Sequence, residues 1–141
     1  MEIKYRYNDN QYHIVGKVDN QLVIILIDTG SCMSFISSSL INEVYELNQG
    51  FTITDFLGKQ KEFNKLTEVE LIISNELIIT TEILVDFHRK DKEILLGIDF
   101  LEQFDSFEIR NNELKLVLDD KEIKVPRIRL NPNLMKTKLN H

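Results

Sequence analysis

The chain has one cysteine, Cys32, which excludes an internal disulfide and a cysteine-rich zinc site. Cys32 itself reads as a small apolar core residue. Long apolar runs are missing too. The longest is Leu22 to Ile27, far short of the roughly 20 residues a membrane span needs. Met1-Glu2-Ile3-Lys4-Tyr5 lacks a basic region followed by an apolar one, so no signal peptide is expected. There is no basic excess. The formal net charge of −6 argues against binding nucleic acid through its phosphates. The three histidines, His13, His88 and His141, lie far apart in sequence, and no metal or other cofactor is expected of them. No internal repeat is visible.

What remains is a chain of 141 residues with 43% hydrophobic and 28% charged residues, values that suit one globular domain. Most of it reads as short strands and turns. Tyr12, Ile14 and Gly16 to Val18 approach a turn at Asp19-Asn20-Gln21, and Leu22 to Ile27 returns as a buried strand. Ser37-Ser38-Ser39 offers helix caps. Leu40, Val44 and Leu47 then recur at helical spacing, with Gly50 where the helix should stop. Phe51 to Thr54 and Glu62 to Lys65 flank a polar tip containing Gly58, which reads as a hairpin. Val69, Leu71 and Ile73 alternate, and Leu77 to Val85 forms the returning strand. Glu93 to Leu96 is a short strand ending at Gly97, and Ile98 to Phe104 reads as a short helix. Phe107 to Leu118 is a further hairpin, and Glu122 to Val125 a last strand. Residues 1–125 are expected to form the domain and 126–141 a tail or linker.

One tetrapeptide stands out. Asp28-Thr29-Gly30-Ser31 follows directly on the buried run, so a carboxylate sits at the mouth of a buried strand. Interior charge is costly unless it is paired or hydrogen-bonded. The plain reading is turn chemistry, because Asp bonds nearby backbone N–H groups and Gly is permissive. A second element, Ile94-Leu95-Leu96-Gly97-Ile98-Asp99-Phe100-Leu101, begins its glycine turn 69 residues after Asp28. Asp99 suits a cap for the short helix.

The two motifs, in this order and with a hairpin between them, resemble the retropepsin-like aspartic proteases over roughly Tyr12 to Leu118. The segment around Gly97 looks most similar to proteases of gypsy-type retrotransposons and plant pararetroviruses. The resemblance implies a mainly β chain: a closed barrel or sandwich with one or two short helices, one lobe per chain. It implies Asp28 as the catalytic residue. Thr29 would brace the loop, Gly30 would admit a backbone N–H to the carboxylate, Ser31 would bond its outer oxygen, and Gly97 would pack beside the loop. Phe56, Leu57 and Gly58 would form the substrate-binding flap. Ile98 stands where orthoretroviral enzymes carry an arginine that supports the dimer, so that ion pair is not expected; the alternative to a cap for Asp99 is to stand in for that arginine's bracing role.

The family's chemistry takes two carboxylates, and no second Asp-Thr-Gly or Asp-Ser-Gly occurs in this chain. The expectation is therefore a homodimer cleaving an extended polypeptide, with Ile3 to Tyr7 and the Phe107 to Leu118 hairpin as interface candidates. No nucleic-acid or membrane partner is expected. Retroelement polyprotein processing, in the host cytoplasm or a virus-like particle, is the leading expectation. The alternatives are a cellular domain of the ubiquitin-shuttle type and a catalytically silent dimerisation or binding module.

Overall fold

A computed structural model of the chain describes residues 11–54, 57–75, 77–87 and 93–130. The first hairpin joins β1 (Tyr12–Val18) to β2 (Gln21–Ile27). Its turn is only Asp19-Asn20, with φ of 48° and 66° and with Val18 facing Gln21. Two successive positive φ angles mark the hairpin turn whose twist matches that of paired strands, and Asp and Asn tolerate it. The same turn recurs at Asp119-Asp120, with φ of 52° and 65°.

Ile25, Leu26 and Ile27 of β2 are all buried because β2 is an inner strand. It pairs antiparallel with β1 and parallel with β7 (Glu93–Leu96). β3 (Phe35–Ser37) joins β7 antiparallel to β6 (Leu77–Asp86) parallel. β5 (Gln60–Ser74) pairs with β6 and meets β1 again through Lys17 with Ile72 and Val18 with Leu71. The order β1-β2-β7-β3-β6-β5 thus closes into a six-stranded barrel, and the chain is mainly β. Closure removes two sheet edges that would otherwise expose unpaired backbone groups.

β8 (Ser106–Ile109), β9 (Glu113–Leu118) and β10 (Lys121–Pro126) form a separate antiparallel sheet in the order β10-β9-β8. Leu114, Leu116, Ile123 and Val125 of this sheet join Phe100, Leu101 and Phe104 and the barrel's own Ile14, Ile25 and Ile94 in the main core. A second apolar cluster of Leu26, Phe35, Phe63, Leu84 and Leu95 lies apart from it.

The helix expected from Leu40 to Leu47 does not form. Ser37 caps one turn of 3-10 helix, Ser38–Leu40, and Tyr45–Thr54 is strand β4. Leu40 is buried, but Val44 and Tyr45 are exposed, so the helical spacing defines no buried face. A lone helix of this length is marginal in water. The long edge of β5 offers ladder bonds and side-chain partners instead: Tyr45 faces Leu66, and Glu46 pairs with Lys65 at 2.8 Å. Gly50 is no helix stop; it lies inside β4, where the register shifts between Glu46 and Phe51. The second helix does form, as a single turn, α1 (Ile98–Leu101), and Leu101 and Phe104 are buried as their spacing predicts.

Beyond β10 the chain stays attached to the body. The Arg127 guanidinium lies 4.6 Å from the Tyr12 ring centroid and donates to the Gln11 and Asn111 carbonyls at 2.9 and 3.2 Å. Ile128 N–H donates to the His13 carbonyl at 2.9 Å, an antiparallel bridge onto β1.

The His13 ring is buried, and its Nδ1 has no hydrogen-bond partner among the described residues. Burial first, and the Arg127 charge second, hold its pKa below the usual 6.5. The unfolded chain therefore binds a proton that the folded chain refuses. This contribution to stability is fully present above pH 6.5 and is lost as pH falls from there toward the depressed folded value. Denaturant midpoints measured across that interval are expected to fall less steeply for His13→Leu than for wild type. Equal slopes would contradict the assignment to His13.

Candidate active site

The buried run of β2 carries the chain straight to Asp28. Its N–H donates to the Leu96 carbonyl at 3.0 Å, extending the parallel pairing of β2 with β7 by one step. Asp28 itself is half-buried. The turn after it is tight: Ser31 N–H donates to the Asp28 carbonyl at 3.2 Å, and Gly30 N–H donates to Asp28 Oδ1 at 2.9 Å. A Cβ at position 30 would sit 3.2 Å from that same oxygen, a tight contact that would press on the Asp28 side chain.

Gly97 packs against this loop from the end of β7. A Cβ there would lie 2.5 Å from the Ser31 carbonyl oxygen and 2.7 Å from that of Met33, separations that real Cβ atoms do not adopt. With no side chain in the way, Ile98 N–H donates to the Ser31 carbonyl at 2.8 Å, and Gly97 N–H donates to Ser34 Oγ at 2.9 Å.

Asp99 completes the joint. Its Oδ1 accepts from Ser34 Oγ at 2.6 Å and from Phe100 N–H at 2.9 Å, and its Oδ2 accepts from Ser34 N–H at 3.1 Å. The residue at the helix N-cap is Gly97, which has no side chain to offer. Asp99 therefore bonds one N–H of the first turn but spends its other two bonds on Ser34. The expected cap is thus the smaller part of its bonding, and the larger part holds Ser34, a contact the sequence did not announce. Ser34 was not foreseen from the sequence. The one available signal was a small polar residue between Met33 and Phe35 at the threshold of a buried strand.

Other expected contacts differ. The Ser31 hydroxyl donates to the Met33 carbonyl at 2.7 Å rather than to Asp28, because that carbonyl lies at its side and faces the bare Gly97. Thr29 is exposed, and its hydroxyl makes no bond among the described residues, so it does not brace the loop within one chain. Cys32 is exposed rather than in the core. The bonds of Ser31 and Ser34 hold the loop on either side of it and leave its side chain facing out.

Asp28 and Thr29 line a cleft of about 340 Å³ with Gln11, Tyr12, Leu26, Ile27 and Ile109. No described residue of the β4–β5 hairpin tip is among its walls. There Leu57 is 70% exposed, and Gly58 has a φ of 82°, which glycine alone adopts freely. Phe56 and Ile3 to Tyr7 lie outside the described residues. Among the described residues no group of three or more His, Cys, Asp or Glu side chains is placed to hold a metal ion, and no helix is long and apolar enough to cross a membrane.

A closed barrel with an Asp-Thr-Gly loop locked against an apolar-Gly turn defines an acid-protease lobe. Solved structures share the fold. The retroviral protease-like domain of Ddi1 from Leishmania major matches with a TM-score of 0.58 at 16% identity, covering 86% of this chain and 98% of that one. A retropepsin-like aspartic protease from Rickettsia conorii matches at 0.52 and 19% identity, covering 83% and 86%. EIAV protease, solved with the inhibitor HBY-793, matches at 0.51 and 19%, covering 71% and 93%.

The chain belongs to the retroviral aspartyl protease family, whose model matches residues 10–122. Among sequences, it is 40% identical over 95 residues to Uncharacterized protein 7 of Soybean chlorotic mottle virus, and 32% identical over 138 residues to the Putative Polyprotein CP of Cassava vein mosaic virus. Those alignments cover 67% and 86% of this chain, but only 63% and 10% of the two viral proteins. Both relatives are plant pararetrovirus proteins.

Asp99→Asn tests the joint. An amide nitrogen must face either Ser34 N–H or Phe100 N–H, because both carboxylate oxygens accept. One donor then meets a donor. The expected loss of stability is about 1–3 kcal/mol, read from denaturant unfolding. An unchanged midpoint would mean that the joint does not depend on the charge.

Proposed function

We propose that this chain is an aspartic endopeptidase that acts as a homodimer. The observation that carries the reading is the Asp28 loop itself: a carboxylate at the mouth of a buried strand, held by Gly30 N–H and locked from behind by Gly97, with one such loop per chain. Within one chain Gly30, Ser31 and Gly97 are its supports, and the β4–β5 hairpin, with Leu57 and Gly58 at its tip, is the flap.

Two Asp28 carboxylates brought together across a two-fold axis repel each other at close range, and one proton held between them relieves that repulsion. The ionised member takes a proton from a water molecule. The protonated member hydrogen-bonds the scissile carbonyl. The water adds to that carbonyl, the tetrahedral intermediate forms, and the amide bond breaks as its nitrogen receives a proton. No covalent enzyme intermediate is needed. The cost of a charge at this position is offset because the pair holds one charge, not two.

The dimer reading has support in the surface. Phe107 and Ile109 of β8 are 36% and 38% exposed, although apolar, and Ile109 reaches the Asp28 cleft. A second copy seated there would cover them. The substrate would lie extended between hairpin and floor, adding strand-like hydrogen bonds. The viral relatives, one named a polyprotein, support a role in polyprotein processing; the host cytoplasm or a virus-like particle is the setting proposed for it. The likeness to the Ddi1 domain, at 16% identity, extends to the fold alone.

Asp28→Asn is expected to remove detectable cleavage of a peptide library while leaving stability within about 0.5 kcal/mol of wild type. Undiminished cleavage by that variant would end the protease reading. Specific activity is also expected to drop on dilution, with rate falling faster than linearly in protein concentration. Activity strictly proportional to concentration down to a monomer, established by sedimentation, would refute the dimer.

A further inference from the structure

The inner face of the β4–β5 hairpin carries a feature that the cleavage chemistry does not use. Residues two apart on a strand share a face, so Lys61, Phe63 and Lys65 lie together on β5, with Ile53 of β4 directly opposite Lys61. The Phe63 ring sits 4.8 Å from that of Phe35, which seats the hairpin over β3 and β7. A pocket of about 160 Å³ opens beside this contact, lined by Phe35, Ile53, Lys59, Lys61, Phe63, Asp86 and Leu95. Its floor belongs to the same apolar cluster as Leu26, and Leu26 is a wall of the Asp28 cleft. Leu95 pairs with Leu26 in register, one strand across. A chain extended through the cleft can therefore reach this pocket with a neighbouring side chain.

The charge here is unusual for this protein. The chain as a whole carries −6, yet the pocket wall holds two ammonium groups and one carboxylate. Lys59 and Asp86 each have an interaction of their own. Lys65, further along the same face, is paired with Glu46 at 2.8 Å. Lys61 is exposed and makes no ion pair among the described residues.

We infer that Lys61 makes this pocket select an acidic substrate side chain, glutamate above all. The inference rests on the aspartic-protease reading and names part of its substrate class. The two methylenes of glutamate would cover Phe35, Phe63 and Leu95, as amphipathic stems cover apolar surface elsewhere. Its carboxylate would meet the Lys61 ammonium. The pair stays open to solvent, so the preference is modest, about two- to fivefold, and it weakens with added salt. It also needs an ionised substrate, so it fades as pH falls through about 4.3.

The experiment compares peptides that differ only by Glu, Gln or Lys at each position flanking a mapped cleavage site, with wild type, Lys61→Met and Lys61→Glu. Wild type is expected to favour Glu at one position by about two- to fivefold in kcat/KM. Lys61→Met is expected to bring that ratio to one, and Lys61→Glu to invert it in favour of a Lys-bearing peptide. A wild-type ratio of one at every position, or the same ratio in all three proteins, overturns the inference and leaves the protease reading intact. No cleavage of any peptide by wild type overturns both.

Discussion

The structure depends on how closely two pieces of backbone approach each other. Gly97 brings its Cα against the Ser31 and Met33 carbonyls at a distance that any side chain would forbid. Everything at the site follows from that contact. It aligns Ile98 N–H with the Ser31 carbonyl, puts Ser34 Oγ under Gly97 N–H, and leaves Asp99 within reach of Ser34. Backbone polar groups buried at such a crossing must find partners or cost free energy. Here they find each other, and the loop that carries Asp28 is fixed on its inner side by main chain rather than by flexible side chains. A site that positions a carboxylate benefits from such rigid support.

The parts of this fold that were legible in the sequence are those with local causes. The β1–β2 hairpin is marked by Asp19-Asn20-Gln21 between apolar runs, one residue more than the turn proves to hold, and the Asp28 turn by Asp-Thr-Gly. Period-two alternation marked Val69 to Ile73 and Leu114 to Leu118. The failures share a different cause. Leu40, Val44 and Leu47 have helical spacing, but that spacing is accidental. What decides the segment is the open edge of β5, roughly twenty residues downstream, and no local pattern announces it. Ser34, the Ser31 hydroxyl and Cys32 were misread or missed for a related reason. Each is set by what Gly97 and Asp99 do at the end of the neighbouring strand, far along the chain but close in space. The short spacings of the loop cannot report contacts made across more than sixty residues.

The division of the apolar residues carries functional meaning. The main core runs from the barrel into the β8–β10 sheet and is sealed. The second cluster, around Leu26, Phe35, Phe63 and Leu95, is thinner, and Met33, Leu47, Ile53 and Leu66 beside it are only partly buried. A hairpin seated by one aromatic pair over such a surface has less area holding it than a core strand has. Local opening is easiest where buried apolar contacts are fewest, and this places the compliant part of the molecule beside the Asp28 cleft, while the rigid part carries the loop.

The Arg127 guanidinium reaches the Gln11 carbonyl across 116 residues of sequence. Contacts of such separation form late, because the loop they close is long. Gln11 and Tyr12 are walls of the Asp28 cleft. On a ribosome, the chain emerges from its N-terminus, and the carboxylate loop and its glycine lock are available well before residue 127. One tie of the cleft wall, from Arg127 to Gln11, thus comes after the loop, although Tyr12 beside it is already paired with Ile27 in the first hairpin. The order of synthesis itself separates making the chemical group from completing the surface that surrounds it.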